Sequence, residues 1–341
     1  MALSSDYTIR RSRRSSKLSG AAMIAVVAVL AATPYLVFQS VTSSMVMLFV
    51  LIVMASMWNL LAGFGGLVSI GQQAYVGVGA YTVVVFADMG MNPLVAVVGG
   101  GVTSALLALP TSWLAFRLRG DYFAVGTWVI AEVYRLVIIK FDAVGGADGK
   151  SLVGFEGMDP VTRSAFVYWF ALGIAMVTVV GCFLLLRGRL GLALTAIRDD
   201  ETAARSAGID ATRVKRVVYL ISAVGCGLAG GILAIDALRV QPDAIFSVSW
   251  SAYMIFIVVI GGIGYLEGPI VGALVFFAMQ QFLAGMGSWY LMLLGALAII
   301  AAAWFPKGIW GAFSQRTGFR LFPVGYHVAD AFPMGRSAAQ R

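Results

Sequence analysis

Cysteine and histidine are nearly missing from this sequence. Its 341 residues include two cysteines, Cys182 and Cys226, and one histidine, His327. Both cysteines lie inside apolar runs, which indicates small buried side chains rather than a disulfide framework or a metal site. The histidine lies in the C-terminal tail, so the apolar segments have none for a metal site or a Ser-His-Asp triad.

Charged residues are scarce as well. They make up 12% of the chain, whereas 60% of the residues are hydrophobic and the mean hydropathy is +0.90. Ordinary soluble domains have roughly 45–50% apolar residues. The composition therefore excludes an ordinary soluble domain and indicates a polytopic membrane protein. The net charge is +8, but the lysines and arginines cluster at the ends of apolar segments. That distribution fits membrane topology, and it argues against a nucleic-acid partner.

A motif for binding ATP is missing too. Gly149, Lys150 and Ser151 resemble the end of the phosphate-binding pattern G-x-x-x-x-G-K-[ST], but Val144 stands where its first glycine should be. The glycines at 262–268 are spaced one residue too widely for a dinucleotide fingerprint. Since no convergent catalytic set is visible either, we predict that the chain is not an enzyme, holds no cofactor or metal and hydrolyses no ATP itself.

Long apolar runs, in contrast, fill most of the chain. A transmembrane helix needs roughly 20 such residues, and we predict an all-α polytopic bundle of about ten transmembrane helices within one membrane domain, residues 21–305. The runs lie at about 21–38, 44–63, 73–89, 94–116, 122–139, 164–186, 217–238, 251–265, 267–285 and 289–305. Glycine and glutamate interrupt the pair around Gly264, which is alternatively one broken region.

Positive charges orient this bundle. A basic tail, residues 1–20, precedes the first run; such a start also suits a signal peptide, but another span follows almost at once and no convincing cleavage site is present. We therefore predict a cytoplasmic N-terminus. Alternation from there places Arg117, the segment 187–216 and a C-terminal tail, 306–341, in the cytoplasm, as the positive-inside rule requires.

Residues 187–216 form the longest polar segment between two strongly apolar runs. They include seven Lys or Arg and four Asp or Glu. The centre, about 192–207, has the composition of a short helix. Gly208 is a plausible stop, and Asp210 or Thr212 is suited to cap a second helix.

The same segment resembles a known family. Its pattern E-x-A-A-x3-G is formed by Glu201, Ala203, Ala204 and Gly208. This resembles the EAA loop, through which ABC importer permeases contact their ATPases, although Thr202 is an addition to the usual E-A-A-x3-G. The fuller string, which includes Arg198, is similar to LivM-type permeases of branched-chain amino-acid importers. Without the resemblance, an amphipathic surface helix explains the segment equally well.

A second block, at 58–61, 65–75 and 77–82, is similar to the LivM-type signature N-L-x-x-G-x-x-G-x-x-S-x-G-[HQ]-A. The resemblance implies a translocation pathway that includes Asn59, Ser69, Gln72 and Tyr75. The alternative is a glycine-rich helical break, in which polar side chains bond the freed backbone groups. Glycine elsewhere in the chain predicts either close helix packing or unwound backbone along a path.

Glu132 and Arg135 are charges within a predicted span, three residues apart on one helix face. They are interpreted as a buried structural ion pair or as a gate in the pathway; a proton relay would need a second acid, and none is obvious in an adjacent span. For a buried pair, Glu132→Gln should lower the amount of folded protein and Glu132→Gln with Arg135→Gln should restore it.

Two further blocks extend the resemblance. Residues 144–149 of the external loop resemble T-G-G-x-[ND]-G, with Val144 in place of threonine, and suit either a turn or a docking site for a binding protein. Residues 261–269 match G-G-x-G-x-x-x-G-P, with Glu267 in place of the common tryptophan. The four blocks follow the family order over about 58–270.

The resemblance implies a function and a set of partners. The expected function is a permease subunit of an ABC importer for leucine, isoleucine and valine, in the bacterial cytoplasmic (inner) membrane among its lipids. The expected partners are a second, LivH-type permease subunit, two ABC ATPase subunits that bind and hydrolyse the ATP, and an external substrate-binding protein. Alternatives are urea, short amides or aromatic acids as substrate, and a stand-alone secondary transporter.

Overall fold

Helices make up most of the described structure. The structure is a computed structural model that describes residues 8–10, 27–155, 158–283, 307–317 and 327–329, with a few single positions at 292–293, 295–296, 299 and 322. The helices are α1 (Val27–Leu36), α2 (Gln39–Asn59), α3 (Gln73–Asp88), α4 (Pro93–Ala115), α5 (Asp121–Ile139), α6 (Pro160–Arg187), α7 (Arg189–Asp199), α8 (Glu201–Ser206), α9 (Ala211–Ala237), α10 (Pro242–Ile245), α11 (Ser249–Gly261), α12 (Gly268–Leu283) and α13 (Gly308–Thr317). The strands are β1 (Thr8–Arg10), β2 (Lys150–Ser151), β3 (Arg239–Val240) and β4 (His327–Ala329).

Helix α2 is the centre of the bundle. Every residue from Leu48 to Asn59 is buried. A helix that is apolar on all sides is stable where other protein surrounds it, and α6, α9, α11 and α12 pack around α2. Helix α9 packs in turn against α3 and α4, so these helices share one core.

Six helical stretches are long and apolar enough to cross a membrane by length and composition. They are Gln39–Phe64, Pro93–Ala115, Asp121–Ile139, Pro160–Arg187, Ala211–Ala237 and Pro242–Gly261. Helix α1 and the stretch Gly268–Phe282 are shorter apolar helices, and α3 has 16 residues. The predicted all-α polytopic fold is confirmed, whereas the count of ten stays a prediction. The tenth run, 289–305, lies outside the described residues apart from single positions, as do residues 21–26 of the first.

Glycines let α3, α4 and α9 approach one another closely. A Cβ atom added to Gly79 of α3 would lie 2.6 Å from the Cα of Gly227 in α9, and one added to Gly100 of α4 would lie 2.8 Å from the oxygen of Gly79. Real Cβ atoms essentially never come within 3.0 Å of another heavy atom. For these glycines, close helix packing is therefore the correct one of the two predicted roles.

Two breaks interrupt the helices at one end of the bundle. Helix α2 continues into a π-helical turn, Leu60–Phe64, and the chain then runs without helix to α3. The second break separates α11 from α12, where Gly262 and Gly264 have φ of +134° and +76°. Helix α11 therefore ends at Gly261, four residues before the end of the predicted span 251–265. Glycine adopts these positive φ angles without strain, and they are not the angles of a helix.

Short strands join distant loops and tails of the chain. Strand β2 pairs antiparallel with β3, and β1 in the N-terminal tail pairs antiparallel with β4 in the C-terminal tail. Lys150, which we expected in an unpatterned loop, is thus part of a strand. The next helix, α6, begins only at Pro160, so the strand–loop–helix context of a phosphate-binding loop is still missing there.

Candidate functional site

The polar segment, residues 187–216, folds as two helices rather than the single short helix expected at 192–207. Helix α7 ends at Asp199, and Asp200 adopts an extended conformation with φ −156° and ψ 107°. Its carboxylate accepts hydrogen bonds from the backbone N–H groups of Thr202 (2.8 Å) and Ala203 (3.0 Å). Aspartate competes with the helical backbone in this way, so the chain turns here and α8 begins.

The predicted stop and cap that follow are both present. Gly208 has φ +83°, the left-handed conformation that commonly ends a helix. Asp210 then caps α9 by accepting a hydrogen bond of 3.0 Å from the backbone N–H of Arg213. The chain thus turns at Asp200 before α8 and at Gly208 after it.

Glu201 holds α8 against α9. Its carboxylate contacts the guanidinium of Arg205 at 2.8 Å and the ammonium of Lys215, in α9, at 2.5 Å. Hydrogen bonds from Lys215 and then Arg205 lower the pKa of Glu201, so it stays ionised at neutral pH. Ala204 is buried beneath it, and Ala203 is exposed.

Arg198 connects the polar segment to the first helix break. Its guanidinium donates a 3.0 Å hydrogen bond to the backbone oxygen of Gly63, in the π-helical turn after α2. The same guanidinium also bonds Asp199 at 3.2–3.3 Å. The end of α7 is thus fastened to the end of the central helix by a charged donor.

Asn59 connects the first break to the second. Its amide donates to the oxygen of Tyr265 (2.8 Å), and its side-chain oxygen accepts from the N–H of Gly264 (2.9 Å). We call Asn59, Gly63, Arg198, Gly264 and Tyr265 the junction. A Cβ on Gly264 would lie 3.4 Å from a guanidinium nitrogen of Arg198, so the two breaks and the end of α7 meet there. Asn59 is therefore part of the junction, where it bonds backbone groups of the second break.

Ser69 and Gln72 lie in the non-helical segment between α2 and α3, and both are fully buried. The Ser69 hydroxyl accepts from the N–H of Gly71 at 3.2 Å and from the Gln72 amide at 3.4 Å. The side-chain oxygen of Gln72 accepts from the Ser222 hydroxyl at 3.2 Å. In this conformation these side chains bond freed backbone and neighbouring helices, as expected of a helical break.

Tyr75 is buried in the same region. Its hydroxyl donates to that of Tyr219 in α9 at 2.9 Å, and its backbone oxygen accepts from the Ser104 hydroxyl in α4 at 3.1 Å. Tyr219 and Ser104 were not predicted from the sequence, since neither belongs to a recognisable motif. Tyr75 thus joins three helices.

Glu132 and Arg135 pair within α5, but the pair is not buried as one of the two interpretations supposed. Nε of Arg135 donates to Glu132 at 2.9 Å, and the exposed fraction of the Glu132 side chain is 46%. Arg135 also contacts Asp243 of α10 at 2.5 Å. Asp243 was not predicted, because it lies before the apolar run 251–265, at the start of the helical stretch Pro242–Gly261.

This third partner changes the mutational expectation for the pair. Arg135→Gln should lower the free energy of unfolding by about 1.5–3 kcal/mol, the contribution of hydrogen bonds to a charged group. Arg135→Gln leaves the carboxylates of Glu132 and Asp243 without their shared cation. Glu132→Gln leaves Arg135 bonded to Asp243, so it should lower the free energy of unfolding by less. Thermal unfolding of the purified variants measures the difference. Normal stability of both variants with lost transport would instead assign the pair to the pathway.

The loop that we predict to be external forms a turn. Gly145, Gly146 and Gly149 have φ of +90°, +55° and +77°. Lys150 contacts Asp88 at the end of α3 at 2.5 Å and the oxygen of Ala143 at 3.0 Å. The positive φ angles explain these glycines structurally. The predicted docking of a binding protein stays a prediction.

An apolar helical bundle with broken helices, fastened to a charged helical segment outside the spans, defines a multi-pass membrane protein. The chain belongs to the family described as branched-chain amino acid transport system / permease component, whose model matches residues 40–302. It is thus the permease component of an ABC transport system, in the cytoplasmic (inner) membrane.

Individual relatives agree with this family. The chain is 27% identical to the high-affinity branched-chain amino acid transport system permease protein LivM of Salmonella typhimurium, over 84% of this chain and 74% of that protein. It is 26% identical to LivM of Escherichia coli K12 over the same shares of the two chains. It is 29% identical to the fructose import permease protein FrcC of Rhizobium meliloti, over 63% of each. No solved structure matches the chain significantly.

Proposed function

We propose that this chain is the permease subunit of an ABC importer for leucine, isoleucine and valine. The single observation that carries the proposal is the hydrogen bond from Arg198 to the backbone oxygen of Gly63, which joins the polar segment to the end of the central helix. Arg198, at the end of α7, thereby contacts the first helix break and lies beside the second. The proposed substrates rest on the relatives named LivM, which match most of the chain.

In this proposal the chain works within a larger assembly. A second, LivH-type permease completes the membrane part, two ABC ATPases bind and hydrolyse ATP, and an external binding protein delivers the substrate. The chain itself carries no cofactor. Ten spans with both ends cytoplasmic remain part of the proposal, with tails at 1–20 and 306–341 around a membrane domain at 21–305. The pairing of β1 with β4 supports tails that meet on one side.

The polar segment is the proposed coupling site. In this role α8 and the turn after it present exposed Ala203 and Gly208 to an ATPase, while Glu201 and Ala204 hold α8 on its neighbours. Arg198 then carries a displacement of the segment to the end of α2. Asn59 passes it to the second break. Ser69 and Gln72 in the non-helical segment, with Tyr75 in α3 and Glu132 and Arg135 in α5, belong to the part of the bundle that rearranges around the substrate.

Uptake measurements test the proposed substrate and energy source. Vesicles containing this chain with the ATPases and permease encoded beside it should accumulate labelled leucine, isoleucine and valine, only with ATP and the external binding protein. Accumulation of fructose instead would favour the second candidate, a sugar importer, which the similarity to FrcC supports. Uptake by the chain alone, without ATPases, would show a secondary transporter.

Gly208 offers a direct test of docking. No heavy atom lies within 4 Å of a Cβ placed there, so Gly208→Trp should fit within the chain and block an ATPase outside it. We expect co-purification of the ATPases to fall at least about tenfold, a loss of about 1.4 kcal/mol of binding free energy. Gly208→Ala is the matched control, because it imposes the same backbone strain at φ +83° without the bulk. Equal retention of ATPase by both variants would contradict docking at this position.

A further inference from the structure

The C-terminal helix α13 packs directly on the second helix break. A Cβ atom added to Gly308, the first residue of α13, would lie 2.4 Å from the Cα of Gly262, and one added to Gly311 would lie 3.0 Å from the ring of Tyr265. Where α13 begins, main chain therefore meets main chain, and no side chain between them can adjust. We expect α13 and the second break to move as one body.

Glu267 gives the same break a contact with the tail that follows α13. Its side chain is 4% exposed, and its carboxylate accepts a 2.8 Å hydrogen bond from the backbone N–H of Phe322. A buried carboxylate is stable where donors satisfy it, and the adjoining N-terminus of α12 favours a negative charge as well. The acid at this position, which departs from the family pattern, thus binds the tail.

The side chain of Phe322 reaches a different part of the bundle, the end of α6. Its ring centroid lies 5.4 Å from that of Phe183, and the two rings are tilted by 55°. The guanidinium of Arg187, the last residue of α6, lies over the Phe183 ring at 5.2 Å. Helix α7 begins at Arg189, so Phe322 contacts α6 just before the polar segment begins.

Phe322 thereby joins two parts of the chain that the proposed coupling would displace relative to each other. The polar segment continues directly from α6, and Arg198 and Asn59 connect it to the second break through the junction. A displacement along this route has to shift the second break against α6. The backbone of Phe322 holds the break and its ring holds α6, so the tail opposes that shift in this conformation.

We infer that Phe322 is an autoinhibitory clasp, which holds the second break against α6 and must open before substrate can cross. The inference rests on the proposed function, which supplies the displacement of the polar segment by the ATPases. The contacts of Phe322 with Glu267 and Phe183 are one hydrogen bond and one ring pair, both weak enough for such a displacement to break them. A transporter without the clasp should therefore run faster.

Phe322→Ala tests the clasp by removing the ring contact with α6 while keeping the backbone N–H. In vesicles that contain the assembled transporter, we expect ATP hydrolysis and leucine uptake to rise at least about threefold, the effect of losing one aromatic pair. Phe313→Ala is the matched control, because Phe313 is an exposed phenylalanine of the same tail whose ring contacts Trp310 within α13. It should leave both rates unchanged. Phe183→Leu removes the same ring pair from the other side and covers the case in which Phe322→Ala fails to fold.

Locking the clasp is the reverse test. Phe183→Cys and Phe322→Cys are combined and joined by a short bis-methanethiosulfonate cross-linker, whose bonds to the cysteines a reducing agent cleaves. Both natural cysteines are buried, so the two single-cysteine variants treated with the same reagent are the controls. We expect the cross-link to lower leucine uptake at least about tenfold, as for a transporter held in one of two states, and reduction to restore it.

Two results would overturn the clasp. Uptake by the locked transporter at the rate of the unlocked one would show that the clasp need not open. Unchanged or lower rates in both Phe322→Ala and Phe183→Leu would show a purely structural contact. In either case, ATP-dependent uptake by the original chain would leave the proposed function standing. If the original chain with its ATPases, second permease and binding protein takes up none of the three amino acids, the proposed function is wrong and the clasp falls with it.

Discussion

Replacing Arg198 by alanine is expected to reduce leucine uptake by about tenfold or more while ATP hydrolysis continues. The guanidinium is the contact between the end of α7 and the oxygen of Gly63. A hydrogen bond from a charged donor is worth about 1.5–3 kcal/mol, which corresponds to at least about tenfold in an equilibrium between two arrangements of the helices. Without it the polar segment moves with the ATPases, but α2 does not follow. Uptake and ATPase rates measured on the same vesicles give the ratio of transport to hydrolysis.

Arg205→Ala is the matched control for this experiment. Arg205 lies in the same segment, and its side chain bonds Glu201 and Thr212 within that segment. It should lower stability slightly and leave the transport-to-hydrolysis ratio unchanged. Arg198→Lys should fall between the two, because an ammonium keeps the charge but loses the planar fork that bonds Gly63 and Asp199 together. An unchanged ratio in Arg198→Ala would show that the junction transmits nothing.

Much of the fold was predictable because hydrophobicity along the chain dominates it. The longer described helices, α2 to α6, α9, α11 and α12, occupy the apolar runs that the sequence indicates, and the cap at Asp210 follows from local chemistry. The split at Asp200 was missed because the composition around it favours helix. One capping carboxylate outweighed that preference, since it satisfies two N–H groups at once.

The site was less predictable than the fold, because its contacts join distant parts of the chain. Motif resemblance selected Arg198 and Asn59, but their partners are backbone groups of Gly63, Gly264 and Tyr265. Backbone donors and acceptors are present at every residue, so no side-chain pattern marks which of them a distant arginine reaches. Asp243 was missed for a related reason, since a carboxylate in a short loop helix carries no signal of its neighbour in α5.

Replacing Gly79 by valine is expected to abolish the folded protein. A Cβ at Gly79 would overlap the backbone of Gly227 in α9, with its Cα at 2.6 Å. The obstacle is main chain, so no rotamer change relieves it and α3 must separate from α9. Overpacking a core costs about 1–3 kcal/mol where side chains adjust, and we expect about 3 kcal/mol or more here. The fraction of expressed protein that elutes as a single species in mild detergent, together with its thermal midpoint, measures the loss.

Gly181→Val provides the matched control, because no heavy atom lies within 4 Å of a Cβ at Gly181 in α6. Both changes place the same β-branched residue inside an apolar helix, so propensity and hydrophobicity are equal and only the approach of α9 differs. Gly181→Val should retain the elution profile and the thermal midpoint of the original protein. If Gly79→Val behaved in the same way, α3 and α9 would not be in backbone contact, and the core of α3, α4 and α9 would have to pack differently. If both variants failed to fold, Gly181 of α6 would instead have to pack against a partner subunit.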